Sequence, residues 1–83
     1  MHEMGIATSI LASADAALEQ SPGARLLTVK LRIGEWAGVD ASSLRFCFDA
    51  LAKGTKGEGA RLDIETPEQS DALEIDYFEL EEP

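Results

Sequence analysis

Histidine and cysteine, the side chains that most often carry metal and redox chemistry, occur once each in this 83-residue chain, as His2 and Cys47. One cysteine excludes an internal disulfide and any thiolate-rich zinc site. One histidine excludes a multi-histidine cage or a histidine-based triad, and no carboxylate stands with a nucleophile or base at a telling spacing, so no enzyme is expected. Basic residues are scarce as well: seven Lys and Arg against sixteen Asp and Glu leave a net charge of −9. Nucleic acid and anionic membrane surfaces are polyanions that select basic patches, and neither attracts such a chain. No apolar run approaches the roughly 20 residues that cross a bilayer, and no basic segment followed by an apolar run marks a secretory leader. A cytoplasmic protein that keeps its own N-terminus is expected.

Aromatic residues are few: Trp36, Tyr77, Phe46, Phe48 and Phe78. Leu, Ile, Val and Ala must therefore do most of the packing, in a chain long enough for one domain and too short for two. Residues 1–83 are read as that single domain.

What is present is periodicity. Met4, Ala7, Ile10, Leu11, Ala14 and Leu18 recur three or four apart in an Ala-rich segment, which predicts an amphipathic helix to about Glu19, stopped by Ser21-Pro22-Gly23. On this spacing Met4 belongs to the core. Leu27 to Ile33 alternates apolar and polar residues, as a strand with one wet face does. Two glycines, Gly34 and Gly38, break the alternation around Trp36, whose expected job is packing against a sheet edge. Asp40 stands where a helix N-cap would stand, ahead of Leu44, Cys47, Phe48 and Leu51, and Gly54 ends that second helix. Cys47 lies on its apolar stripe and reads as a small hydrophobe.

The glycine-rich stretch 53–59 precedes a strand and lacks the ending of a phosphate loop, so it is a connection. Ala60, Leu62 and Ile64 alternate with polar residues in a second strand. In the last strand Leu73 and Ile75 share one parity while Phe78 and Leu80 have the other, which predicts a β-bulge near Asp76-Tyr77. The order is helix, strand, helix, strand, strand. An α+β domain with two helices packed on one face of a three-stranded sheet buries every apolar stripe.

Met1-His2-Glu3 sets an α-amine, backbone amides, an imidazole and a carboxylate within three residues, immediately before a helix that anchors them. A divalent ion favouring square-planar nitrogen coordination, Ni(II) or Cu(II), suits such a cluster, whereas zinc gains nothing from that geometry.

The same tripeptide followed by Met4, the helix with Ile10-Leu11, the strand ending Leu31-Arg32-Ile33-Gly34-Glu35, the Val39-Asp40 pair and the helix Leu44-Arg45-Phe46-Cys47-Phe48-Asp49-Ala50-Leu51 resemble the HypA/HybF family of hydrogenase nickel-insertion metallochaperones. The similarity covers about residues 1–65 and resumes at 73–80. The resemblance implies Ni(II) held by His2 as key ligand, with the Met1 amine, the neighbouring Glu3, and Asp40 as an accessory carboxylate. Asp40 is equally suited to capping helix amides, and both readings stand. The resemblance also implies two partners, a hydrogenase-maturation GTPase and the hydrogenase large subunit. Family members carry a zinc-binding insertion with two Cys-x-x-Cys pairs between the last two strands. Here only the short turn 66–72 fills that space, so no zinc is expected, and the flanking strands are expected to meet as a hairpin. A different reading is a metal-independent adaptor or dimerisation module of the same descent, since an exposed edge strand permits pairing or swapping with a second copy.

Overall fold

The computed structural model describes residues 2–83; the Met1 amine expected among the nickel donors lies outside the described residues. Five elements follow one another: α1 (Glu3–Glu19), β1 (Arg25–Ile33), α2 (Ala41–Ala52), β2 (Arg61–Glu65) and β3 (Leu73–Glu81). They form the expected α+β arrangement. The sheet order is β2-β1-β3, with β1 parallel to β2 and antiparallel to β3.

The central position of β1 corrects one expectation. β2 and β3 do not meet as a hairpin, because β1 lies between them and pairs with both. Residues 66–72 instead cross the C-terminal end of β1 as a strap. Three backbone bonds fix it: Gly34 N–H to the Ala72 carbonyl at 2.8 Å, Glu35 N–H to the Pro67 carbonyl at 3.0 Å, and Trp36 N–H to the Ser70 carbonyl at 2.7 Å. The Glu35 carboxylate also accepts from Gln69 N–H. Gly34 is required here, since a Cβ at that position would lie 2.1 Å from the Ser70 carbonyl oxygen. Trp36 does not pack on a sheet edge. Its backbone holds the strap while its side chain is 65% exposed.

The core lies between the sheet and the two helices. Phe48, Leu44, Val29 and Leu31 are its largest fully buried side chains, joined by Ala7, Ile10, Ala14 and Leu18 of α1. Ala7 and Ala14 bring α1 close to its neighbours. Met4 is exposed rather than core, because Glu3 to Ile6 forms the first turn at the rim, and Phe46 points outward from α2.

Two bulges set which side chains face inward. Leu31 pairs with Ile75 and Lys30 with Tyr77, so Asp76 is the extra residue, and Leu73, Ile75, Phe78 and Leu80 all oppose buried positions of β1. The parity break near Asp76-Tyr77 therefore marks a bulge, as expected. A second lies in β1 at Leu27, between the pairs Leu26–Leu80 and Thr28–Glu79. It turns Leu26 inward and leaves Leu27 exposed, the reverse of what alternation alone implies. The other sheet face is polar. Lys30 lies 3.6 Å from Asp63, and Arg32 lies 4.0 Å from Glu65 and 3.7 Å from Glu74.

Candidate metal centre

The N-termini of α1 and α2 lie side by side. His2 is the N-cap residue of α1: its carbonyl accepts from Ile6 N–H at 3.2 Å, and its side chain makes no capping hydrogen bond. His2 is exposed, and among the described residues its imidazole makes no hydrogen bond.

Glu3 reaches across to the second helix. Its Oε2 accepts from the backbone N–H of Asp40 at 3.0 Å, joining positions 37 residues apart. This bond, with Glu3's own backbone N–H, holds the Glu3 carboxyl below its ordinary value; partial desolvation and the nearby Asp40 charge oppose the effect without reversing it. The carboxylate is thus stabilised as an anion and oriented beside the helix entry.

Asp40 is an N-cap in extended backbone conformation, with Oδ1 accepting from Ser43 N–H at 3.1 Å and its carbonyl accepting from Leu44 N–H at 2.9 Å. One of the two readings for this residue, the cap, is therefore realised. Oδ2 is left over. On α2, Arg45 donates to the Leu62 carbonyl at 3.2 Å and fastens the helix to β2, so the Asp40 end is held by the sheet.

The structure therefore gathers Glu3 and Asp40, with His2 adjoining Glu3 in the chain. What sequence patterns did not reveal is that Glu3 contacts the backbone of Asp40. Two N-cap positions can be read from the chain, but not that packing sets them together. Among the described residues no group of three or more His, Cys, Asp or Glu side chains is arranged to cage a metal ion. Cys47 is half-buried against the core, in line with its place on the apolar stripe of α2. No helix is long and apolar enough to cross a membrane.

Residues 1–71 match a family model described as hydrogenase/urease nickel incorporation, metallochaperone, hypA. The hydrogenase maturation factor HypA of Chlorobium limicola is 52% identical over 65 residues, which cover 78% of this chain and 56% of that protein. That of Chlorobaculum tepidum is 44% identical over 82% of the chain and 60% of its own length. That of Methanopyrus kandleri is 38% identical over 99% of the chain and 53% of its own length. The chain spans little more than half the length of these relatives, and the shared half contains the paired helix N-termini. It belongs to the HypA family of nickel-incorporation metallochaperones.

Proposed function

We propose that this chain binds Ni(II) at its N-terminus and acts as a nickel-carrying accessory protein in hydrogenase maturation, not as an enzyme. Nickel is its cargo. The donors in this reading are the Met1 amine, backbone amides, the His2 imidazole, and the carboxylates of Glu3 and Asp40. The observation that carries the reading is the bond from Asp40 N–H to the Glu3 carboxylate, which ties the start of α1 to the start of α2 beside His2. Anchoring Glu3 in this way supports a chelate beside it, since a carboxylate already held in place costs less ordering on binding. The amine, imidazole and amides must all lose protons to bind, so affinity rises with pH through neutrality.

Residues 66–72 stand in for the family's zinc-binding insertion, and in this reading the chain takes no zinc. Contact with a maturation GTPase and with a hydrogenase large subunit is proposed by family membership, and so is a cytoplasmic setting. The test is competition between a chromophoric chelator and the chain for Ni(II), on material whose intact mass shows an unmodified Met1. A one-to-one complex that weakens by two orders of magnitude or more in His2→Ala is expected. Equal affinity of wild type and His2→Ala would leave the metal-independent adaptor as the better reading.

A further inference from the structure

The sheet has two edges, and they are not equally protected. β2 is short, and the Arg45 side chain reaches it from α2 to donate to the Leu62 carbonyl. β3 runs for nine residues with β1 on one side, and among the described residues no strand pairs with its other side. Long edges are ordinarily blunted by Lys or Pro, and β3 has neither. Its bulge residue is Asp76, beyond which residues 77–81 form an unbroken run of about 17 Å.

The side chains of this run sort by face. Phe78 and Leu80 pair with the buried Val29 and Leu26, so they point toward the helix layer, yet both are only half-buried. Tyr77, Glu79 and Glu81 pair with Lys30, Thr28 and Arg25 on the open polar face, where all three are exposed. Among the described residues neither Glu79 nor Glu81 forms an ion pair, whereas Glu74, ahead of the bulge, is matched with Arg32.

A strand added to an edge sets its successive side chains on opposite faces. Beside residues 77–81, one parity of such a strand adjoins Phe78 and Leu80 and is apolar; the other adjoins Glu79 and Glu81. Opposite charges attract across neighbouring strands and like charges repel, so the second parity is basic. The same rule disfavours a second copy of β3 in this place, since it brings carboxylates against carboxylates. We infer that the free edge of β3 at residues 77–81 is the docking site for an extended segment of a partner protein in which basic and apolar residues alternate. Main-chain hydrogen bonds supply the attachment, and the two rows of side chains select the partner. The inference does not depend on nickel binding at the terminus.

The experiment uses the 83-residue chain and a short fluorescein-labelled peptide in which Val and Lys alternate, followed by anisotropy at physiological salt. Two control peptides have the same residues in separate Val and Lys blocks, or Glu in place of Lys. The alternating Lys peptide is expected to bind at least about tenfold more tightly than either control. An added strand turns only every second N–H toward β3, so N-methylation of one alternate set abolishes binding while N-methylation of the other set leaves it within about threefold. Glu79→Lys combined with Glu81→Lys is expected to weaken the Lys peptide at least about tenfold and to admit the Glu peptide. Asp49→Lys combined with Glu68→Lys, the same charge change at exposed positions on α2 and the strap, leaves binding within about threefold. Circular dichroism verifies that each variant is folded. Absence of binding at about 1 mM peptide overturns the inference. So does equal binding of the block peptide, equal binding of both N-methylated peptides, or a Glu79/Glu81 pair no different from the Asp49/Glu68 pair. Self-association of the chain that the Glu79/Glu81 substitutions alter, without peptide binding, overturns it in favour of a second copy as occupant.

Discussion

Replacing Gly34 with alanine tests how the strap 66–72 closes the fold. The new methyl would sit 2.1 Å from the Ser70 carbonyl oxygen and 2.4 Å from its carbon, distances that no Cβ tolerates, and both atoms are backbone. The strap must move away. Doing so strains or breaks the bonds from Gly34 N–H to Ala72 and from Trp36 N–H to Ser70. Each backbone bond contributes about 1 kcal/mol net. The steric displacement adds about 1–3 kcal/mol, so the total loss is about 3–5 kcal/mol. A chain of this size has a total stability on the order of 4–12 kcal/mol. With a urea slope of about 1 kcal/mol per molar, the midpoint falls by about 3 M or the variant is unfolded without denaturant. Urea titration followed by circular dichroism at 222 nm measures this. A midpoint within about 0.3 M of wild type would refute the assignment of Gly34 to the strap contact.

Phe48, fully buried at the centre of the core, is expected to cost about 3–5 kcal/mol as Phe48→Ala, read by the same titration. Asp40 separates its two roles through two substitutions. Asp40→Ala loses the cap to Ser43 and about 0.5–2 kcal/mol, whereas Asp40→Asn keeps most of the cap, so a fall in nickel affinity in Asp40→Asn reports the carboxylate itself. For Glu3, the carboxyl is held below its ordinary value of 4.5, so its ionised form favours folding. That contribution is complete above 4.5 and is lost as pH falls through the folded value. The stability gap between wild type and Glu3→Gln is thus expected to be constant from pH 6 to 8 and to close in acid, as thermal unfolding across that range measures.

Element order, the cap at Asp40 and the bulge at Asp76 were legible because each leaves a local mark: a periodicity, a polar residue ahead of an apolar stripe, a break in parity. The bulge at Leu27 left none. Leu26 and Leu27 are chemically equivalent, and only pairing with β3 decides which is buried. Met4 fits the apolar spacing of α1 but sits beyond the end of the core, a matter of where the sheet stops. Residues 66–72 form a strap where local pattern implies a hairpin, because strand order is a long-range property. A glycine at position 34 with Ser70 crossing it carries that information only once β1 is known to be central. At the candidate site, the Met1-His2-Glu3 tripeptide is visible in the chain itself. The bond from Asp40 to Glu3 arises from the packing of α1 on α2, and no local pattern encodes it.

The most direct test of nickel binding by the terminus is the d–d absorption of square-planar Ni(II) titrated into the chain and into a version extended by one residue ahead of Met1. The account predicts a band that saturates at one equivalent in the native chain and is lost or strongly weakened in the extended one, because the amine no longer lies beside His2. Identical bands and affinities in the two chains would contradict it.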